Sequence, residues 1–317
     1  MIDLHLHLDG SLTPRDLLEL SRLTGVALPT REEGALRALM TFDGRGTLND
    51  YLKKFDLPLS VLQSGEAVGL AIRSLGDRLS AMEYTYAEVR FAPMLHTRKG
   101  ASQEEILQGA IKGLQGSVLP MGLILCCMRG GTREENLRTV ELAAAYGGKG
   151  VVGVDLAGAE AIYPTESYRE VFRFASRLGL NITIHAGEAA GADNVRAALD
   201  FGAKRIGHGV AAAKDEALLR RIRDEKVAIE VCPTSNLQTG AIPSLSEHPI
   251  LRFRQKGISV VLCADNMTVS DTDVPREWQK VMRTFSLPEE EFALFMKTSK
   301  ECAFSVPETG VKGEPNG

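Results

Sequence analysis

Residues 151–207 of the sequence, VVGVDLAGAEAIYPTESYREVFRFASRLGLNITIHAGEAAGADNVRAALDFGAKRIG, determine the fold class. They contain three short apolar runs of the kind found in strands buried on both faces of a sheet. Two segments with apolar residues at three- and four-residue spacing separate these runs, which predicts amphipathic helices. The runs are Val151–Leu156, Asn181–His185 and Lys204–Gly207, and the helical segments are Glu166–Leu178 and Asn194–Phe201. Such alternation indicates parallel strands joined by right-handed crossovers.

The same alternation extends over most of the chain and predicts an α/β fold with eight strands. The other five predicted strands are Ile2–His7, Tyr84–Phe91, Met121–Cys127, Val227–Val231 and Ser259–Cys263. Further helical segments are Glu135–Tyr146, Glu216–Asp224 and His248–Gln255. Eight such units, none of which has the features of an edge strand, favour a closed (β/α)8 TIM-type barrel over an open doubly wound sheet.

The connection after the first strand is too long for one helix. We expect residues 13–81 to hold three or four helical segments, inserted as an extra layer after that strand. The end of the chain is rich in Gly and Pro and poor in apolar residues. The sequence therefore predicts one barrel domain over residues 1–306 and a flexible tail at residues 307–317.

Composition excludes several classes of function. With 317 residues, 44% hydrophobic and 25% charged, the chain has the composition of an ordinary globular protein. Its net charge of −4 gives no support for binding to nucleic acids or anionic membranes. No apolar stretch approaches the ~20 residues that cross a bilayer, and five cysteines without paired spacing fit a reducing compartment. We expect a cytoplasmic protein, a monomer or weak homo-oligomer, that acts on a small molecule.

Polar side chains gather at the predicted carboxyl ends of the strands. His5 and His7 end the first strand, and because they lie two residues apart both project to the same side. His185 ends the fifth strand and Asp265 follows the last one. In a barrel all these ends open onto one face, where active sites are built. Three imidazoles and a carboxylate suit zinc or another borderline divalent ion.

Two more polar residues at the same face are candidates for proton transfer. Glu188 follows His185-Ala-Gly, where small residues let a substrate approach the backbone. A carboxyl in such a partly desolvated pocket should have a raised pKa and could act as a general acid, although an exposed loop position is commoner for glutamate. His208 lies between two glycines at a strand end. The alternative role for it, as a helix N-cap, is one that histidine performs poorly.

One apparent nucleotide-binding motif does not fit its context. Gly148-Lys-Gly-Val-Val-Gly153 matches G-x-G-x-x-G, but it follows a predicted helix and enters a strand, the reverse of the dinucleotide-binding arrangement. The zinc signatures H-E-x-x-H and P-C-x-x-C are absent from the sequence.

As an ordered set, the motifs resemble those of the adenosine deaminase family, within the metal-dependent amidohydrolase superfamily. The opening His5-Leu-His-Leu-Asp-Gly-Ser11 is similar to the family's first motif. The others follow in order: Asp155-Leu-Ala-Gly-Ala-Glu160, His185-Ala-Gly-Glu188, Ile206-Gly-His-Gly209, Cys232-Pro-Thr-Ser-Asn236 and Ala264-Asp-Asn266. The resemblance covers Asp3 to about Phe304. It implies a barrel hydrolase that deaminates adenosine and 2′-deoxyadenosine in purine salvage, with one Zn²⁺ per chain.

Carried over residue by residue, the resemblance implies that His5, His7, His185 and Asp265 bind the zinc ion. It implies that Glu188 protonates N1 of the purine, and that His208 and Asp265 orient the attacking water and take its proton. The resemblance also implies how the substrate is bound. Asp9 would bind the ribose 5′-hydroxyl, the backbone of Gly158 would bind the purine N3, and Asn266 would bind the purine N7. Leu52 and Phe55 would form an apolar lid over the pocket.

One substrate position departs from the pattern. Many family members have aspartate where this chain has Asn266. An amide can still donate a hydrogen bond to N7, so the change bears on substrate identity more than on the chemistry.

Alternative functions remain open within and beyond this resemblance. Adenine, AMP, N6-substituted AMP or another adenosine-like nucleoside could be the substrate; acidic Asp9 disfavours a 5′-phosphate and would serve no purpose with a free base. A binuclear hydrolase would need a carbamylated lysine on strand four, and residues 151–158 contain none. An inactive descendant that serves as a binding protein is disfavoured because every proposed ligand and proton-transfer residue is present.

Overall fold

Eight parallel strands surround the core of the protein in the computed structural model, which describes residues 1–305. They are β1 Ile2–His7, β2 Tyr86–Phe91, β3 Met121–Met128, β4 Val151–Ala157, β5 Thr183–Ala186, β6 Arg205–His208, β7 Ala228–Val231 and β8 Val260–Leu262. Each coincides with a predicted strand to within about two residues at either end. The predicted α/β class and (β/α)8 barrel are confirmed. The predicted tail at residues 307–317 lies outside the described residues.

The strands pair in sequence order in two half-sheets, β1 to β4 and β5 to β8. At one seam the amide of Val154 donates to the carbonyl of Asn181, 2.9 Å away. At the other, the His7 amide donates to the Asp265 carbonyl (2.8 Å) and the Asp265 amide to the His5 carbonyl (2.9 Å). These bonds join the half-sheets on both sides, so the carboxyl ends of β1 and β8 lie next to each other.

Helices cover the outside of the strands and one end of the barrel. The first five are α1 Pro14–Thr24, α2 Glu33–Met40, α3 Leu48–Leu52, α4 Asp56–Val61 and α5 Gly65–Ala81. The others are α6 Gln103–Gly116, α7 Arg133–Ala145, α8 Arg169–Arg177, α9 Ala192–Asp200, α10 Glu216–Asp224, α11 Pro233–Gln238, α12 Ile250–Gln255, α13 Val274–Phe285 and α14 Glu291–Cys302. None of the helices in residues 1–305 has both the length and the apolarity needed to cross a membrane.

Residues 13–81 hold five α-helices, against the three or four predicted. Two of them, α3 and α4, are only five and six residues long and are separated by a 3₁₀ turn at Lys53–Phe55, so they carry little periodic signal. The last helix, α5, is the crossover of the first βαβ unit and packs against α6. The layer added to the barrel is therefore α1 to α4.

Charged side chains fill part of the barrel interior. Six of them, all at most 1% exposed, are Asp3, Glu88, Arg90, Asp155, Arg205 and Glu230. Arg90 donates to both Asp155 (3.1 Å) and Glu230 (3.0 Å), and Arg205 donates to Glu230 (2.6 Å). Buried charges are tolerated when they are paired and hydrogen-bonded. This network lies directly beneath the cluster of histidines described next.

Candidate active site

Three imidazoles and one carboxylate meet at the carboxyl ends of β1, β5 and β8. His5, His7, His185 and Asp265 each offer one ligand atom, and all four atoms lie within 4.8 Å of one another. The Nε2 atom of His185 is 3.0 Å from Nε2 of His5 and 3.2 Å from Nε2 of His7. Oδ1 of Asp265 lies 3.4 and 3.5 Å from the same two histidine nitrogens. The four residues that the sequence proposes as metal ligands are therefore neighbours.

Local backbone geometry allows this convergence. Asp265 has a φ of +63°, in the left-handed region that a non-glycine residue adopts at a cost of about 1–3 kcal/mol. Its amide and carbonyl are held by β1, which keeps the chain in this conformation. Next to the cluster, a Cβ on Gly207 would lie 3.0 Å from Cε1 of His5, so a glycine leaves room for that ring.

Two of the histidines are held from below by buried carboxylates. Nδ1 of His5 lies 2.6 Å from Oε2 of Glu230, and Nδ1 of His185 lies 2.9 Å from Oδ2 of Asp155. Because a carboxylate only accepts, both rings carry a proton on Nδ1 and turn Nε2 into the cluster, where it can bind a metal ion once it has no proton. Lone pairs at 3.0 Å repel each other unless a cation lies between them. The donor set therefore fits a divalent metal ion, and carboxylate–histidine pairs of this kind are typical of metal sites.

The acidic surroundings favour positive charge at the cluster even without a metal. Burial and the charge of Arg90 lower the pKa of His5, but its hydrogen bonds to Asp265 and Glu230 outweigh them and raise that pKa to about 9. The same position can therefore hold either a proton or a metal ion, and binding of one displaces the other.

Glu188 lies beside the cluster in a buried pocket. Burial, followed by the charge of Asp265, raises the pKa of its carboxyl to about 8. One carboxyl oxygen is 2.9 Å from the hydroxyl of Thr239, and the other is 3.5 Å from Nε2 of His208. A glutamic acid that keeps its proton at neutral pH and faces a cavity can serve as a general acid.

The loop that carries Glu188 is fixed by a second glutamate. The carboxylate of Glu160, 2% exposed, accepts hydrogen bonds from the amides of Gly187 (2.6 Å), Glu188 (3.0 Å) and Ala189 (2.8 Å). It also accepts from the side-chain amide of Asn194, 3.0 Å away. Four hydrogen bonds to one buried carboxylate hold the backbone of Glu188 in place.

His208 completes the polar side of the site. It is 1% exposed, and its φ of +65° turns the chain at the end of β6. Burial lowers the pKa of its imidazole well below the usual value, so the ring is neutral at physiological pH. The side-chain amide of Asn236 donates to its Nδ1 atom at 2.9 Å.

A cavity of about 270 Å³ opens above the cluster and is lined by every residue proposed to contact substrate: Asp9, Leu52, Phe55, Gly158 and Asn266. Leu52 and Phe55, both half-buried, come from α3 and the 3₁₀ turn after it and form an apolar wall. Asp9 is 7% exposed at the other side. A Cβ on Gly10 would lie 1.8 Å from Oδ1 of Asn266, so the glycine is needed for this amide to fit.

Several residues that shape the site were given no role from the sequence, although three of them, Asp155, Glu160 and Asn236, lie within its motifs. They are Arg90, Asp155 and Glu230 below the histidines, Glu160 and Thr239 around Glu188, Arg129 in the cavity wall, and Asn236 with His248 behind His208. A charged residue in the middle of an apolar strand, as in Val151-Val-Gly-Val-Asp-Leu-Ala157 and Ala228-Ile-Glu-Val231, is a signal that could have found two of them.

Comparisons with known proteins point to one family and one fold. The sequence model described as adenosine deaminase matches residues 1–310. The adenosine deaminase of Haemophilus ducreyi is 43% identical over 314 residues, covering 96% of this chain and 91% of that protein. Among solved structures, adenine deaminase from Arthrobacter aurescens has a TM-score of 0.86 at 24% identity, covering 96% of this chain and 94% of that one. The N6-methyl-AMP deaminase of Arabidopsis thaliana has a TM-score of 0.84 at 25% identity, with coverages of 97% and 92%.

Proposed function

The chain belongs to the adenosine deaminase family, and we propose that it hydrolyses adenosine and 2′-deoxyadenosine to inosine and deoxyinosine with release of ammonia. The observation that carries this proposal is the position of Glu188. A carboxyl whose pKa is raised to about 8 lines one cavity with His7, His185 and Asp265, three of the four residues that fit a metal ion.

We assign His5, His7, His185 and Asp265 as the ligands of one zinc ion. Three neutral imidazoles and a carboxylate form a donor set that zinc accepts. When bound, zinc lowers the pKa of water towards ~7, so that hydroxide is available at neutral pH. The other steps depend on the side chains of the protein.

Glu188 makes carbon 6 of the purine susceptible to attack. Addition at this carbon breaks the conjugation of the aromatic ring, which is costly. A proton delivered by Glu188 to N1 allows the ring to accept the electron pair that the nucleophile displaces. Burial keeps that proton on the carboxyl until the substrate arrives, and the Glu160 hydrogen bonds keep the loop that carries Glu188 in position.

His208 and Asp265 act on the attacking water. Both line the cavity, and Nε2 of His208 lies 3.5 Å from Glu188, so the pair faces the same reacting centre as the acid. Asp265 is held ionised: although burial raises its pKa, its hydrogen bond to His5 and the positive charge that His5 carries without a metal lower it well below the usual value. An ionised carboxylate can take the proton that the water loses.

The cavity lining supports a nucleoside as substrate. Burial raises the pKa of Asp9 to about 6, so its carboxylate is mostly ionised at neutral pH and can accept a hydrogen bond from a 5′-hydroxyl. The same charge would repel a 5′-phosphate. Gly158 has a φ of +106°, and with no side chain it leaves its backbone open for the purine N3. Oδ1 of Asn266 is turned towards Gly10, which leaves the amide nitrogen to donate to N7.

A substrate panel tests this proposal. The zinc-loaded protein should release ammonia from adenosine and deoxyadenosine, measured together with the change in ultraviolet absorbance, and should act much more slowly on adenine, AMP and N6-methyl-AMP. Preference for AMP or N6-methyl-AMP would contradict the role given to Asp9. A protein that binds zinc but deaminates nothing in the panel would overturn the assignment of the activity.

A further inference from the structure

Behind His208, on the side away from the cavity, three buried polar side chains form a continuous hydrogen-bonded chain. Nδ1 of His208 lies 2.9 Å from the side-chain nitrogen of Asn236, and the side-chain oxygen of Asn236 lies 3.2 Å from Nε2 of His248. The backbone amide of Ile250 donates to Nδ1 of His248 at 3.2 Å. His208, Asn236 and His248 are 1%, 0% and 4% exposed, so water does not compete for these groups.

The direction of every hydrogen bond in this chain follows from one donor whose role is fixed. The Ile250 amide can only donate, so Nδ1 of His248 must accept and the proton of this neutral ring lies on Nε2. Burial lowers the pKa of His248 to about 3, which agrees with a neutral ring. Nε2 of His248 then donates to the Asn236 oxygen. The other end of that amide is its NH₂ group, which donates to Nδ1 of His208.

The hydrogen bond at Nδ1 of His208 determines whether the other ring nitrogen, Nε2, carries a proton. A neutral imidazole whose Nδ1 accepts a hydrogen bond carries its proton on Nε2. That nitrogen is the one directed towards Glu188 and the cluster. His5 and His185 have the opposite tautomer, because each is bonded through Nδ1 to a carboxylate. The histidines of the site are thus divided into metal ligands with a bare Nε2 and one ring that presents an N–H group.

We propose that Asn236 and His248 are positioning residues that hold His208 in the Nε2-protonated tautomer, so that His208 donates a hydrogen bond to the oxygen of the attacking water. Water deprotonation is then assigned to Asp265 alone, because an Nε2 that already carries a proton cannot accept another while Nδ1 is engaged by Asn236. This inference rests on the proposed deamination, but the tautomer itself can be measured without turnover.

The direct test is ¹⁵N NMR of the zinc-loaded protein labelled at histidine, since the nitrogen shifts of neutral imidazole distinguish its two tautomers. We expect His208 and His248 to be protonated on Nε2. His96, another buried histidine, donates from Nδ1 to the Leu62 carbonyl at 2.7 Å and serves as an internal reference for the opposite tautomer. A His208 resonance with the proton on Nδ1 would overturn the proposal.

Substitutions connect the tautomer to the rate. Asn236→Leu removes both amide contacts at similar volume, and we expect kcat to fall by about 10²- to 10⁴-fold, the range for a misplaced proton on a catalytic histidine. KM and zinc content should stay within about threefold of the parent, and the His208 signal should shift from the pure Nε2-protonated form. An unchanged kcat would contradict the proposal even if the tautomer shifted.

A matched pair of variants distinguishes the effect of the hydrogen-bond relay, formed by His208, Asn236 and His248, from the general effect of losing a buried imidazole. His248→Phe keeps a ring but removes the donor to Asn236, so this amide is free to rotate and kcat should fall at least about tenfold. His96→Phe makes the same change at a neutral, buried histidine that is not part of the relay and whose pKa is lowered by burial to about 4. The kcat of this variant should remain near that of the parent. Equal losses in the two variants would contradict a specific role for His248.

The outcomes also separate this inference from the proposed function. If no nucleoside is deaminated but NMR shows the predicted His208 tautomer, the function fails and the hydrogen-bond relay stands. If adenosine is deaminated and His208 carries its proton on Nδ1, the function stands and the relay is wrong.

Discussion

Nδ1 of His5 lies 2.6 Å from Oε2 of Glu230, and the same oxygen accepts a hydrogen bond from Arg90 at 3.0 Å. Arg90 reaches across the barrel to Asp155, which in turn contacts Nδ1 of His185. Two histidines 180 residues apart in the sequence are thus oriented by one buried guanidinium acting through two carboxylates. The buried charged residues of the barrel interior therefore help to orient the histidines of the site above them.

This relationship predicts that Glu230→Gln weakens metal binding without removing a ligand. The carboxamide has only one oxygen, so its NH₂ group would face either His5 and Arg90 or Arg205, all of which contact a carboxylate oxygen in the parent. The loss of the negative charge and of these contacts would leave the His5 imidazole less basic and less well oriented. We expect about a 10- to 100-fold loss of zinc affinity, the usual effect of removing such a partner. Competition with a chromogenic chelator measures it.

Glu88→Gln is the matched control for that measurement. Glu88 is also fully buried in the barrel and pairs with Arg205, but no metal-ligand histidine is among its hydrogen-bond partners in the described part of the chain. Zinc affinity should change much less in this variant. Equal loss in both would show that the effect comes from disturbing the barrel rather than from His5.

Replacing the proposed acid should abolish most of the rate but leave the metal in place. In Glu188→Gln the side chain keeps its shape and cannot supply a proton, so we expect kcat to fall by at least about 10²- to 10⁴-fold. Zinc content, measured by elemental analysis, should match the parent, as it should in Glu225→Gln, an exposed control. Near-normal turnover of Glu188→Gln would exclude the residue from the mechanism.

The raised pKa of Glu188 also predicts the shape of the pH profile. Only the protonated carboxyl can act as the acid, and burial together with the charge of Asp265 raises its pKa to about 8. The value of kcat/KM for adenosine should therefore be insensitive to Glu188 below pH 8 and should decrease above it. The residual activity of Glu188→Gln should lack this decrease. A basic limb that persists unchanged in the variant would have to be assigned to another group.

Asp9 offers a test of substrate recognition. Asp9→Ala removes the proposed acceptor for the ribose 5′-hydroxyl, a hydrogen bond to a charged group worth about 1.5–3 kcal/mol. We expect kcat/KM for adenosine to fall about 10- to 100-fold, whereas slow turnover of adenine, which has no ribose, should be unchanged. Parallel losses for adenosine and adenine would indicate that Asp9 supports the site rather than the ribose.

The strands and the histidine motif could be predicted from the sequence because both depend on local patterns. A strand such as β4 is a short apolar run between turn residues, and the parallel arrangement brings the ends of all such runs to one face. His5 and His7 lie on one side of β1 by the pleat alone. Placing His185 and Asp265 next to them requires only that the barrel form.

The supporting contacts could not be predicted in this way. The bonds of Asn236 to His208 and His248 join residues 28 and 12 positions apart, and they depend on how α11 packs against the end of β6 and the segment before α12. Glu160 is part of a recognised motif, yet its role as acceptor for the loop of Glu188 becomes visible only when the loop after β4 is placed against the loop after β5. Neither periodicity nor residue type encodes that placement.

Helix α6 is absent from the helical segments that the periodicity predicts, and its glycines explain why. Gly109 and Gly113 lower the helical propensity of Gln103–Gly116. In the structure they allow α6 to approach α5 closely: a Cβ on Gly109 would lie 1.9 Å from the carbonyl oxygen of Gly65, and one on Gly113 would lie 2.1 Å from that of Gly69. Tertiary packing thus requires residues that local propensity disfavours.

This contact predicts that Gly109→Ala destabilises the protein although alanine is the better helix former. The new methyl group would meet backbone atoms, which cannot move without separating α5 from α6, so we expect the free energy of unfolding to fall by about 1–3 kcal/mol. Gly116→Ala, in the same helix, is the matched control: its Cβ would lie 3.5 Å from the nearest heavy atom, in the side chain of Arg73. That substitution should be neutral or stabilising by up to about 1 kcal/mol. Urea unfolding measures both, and a Gly109→Ala midpoint at or above that of the parent would show that α5 and α6 can separate at no cost.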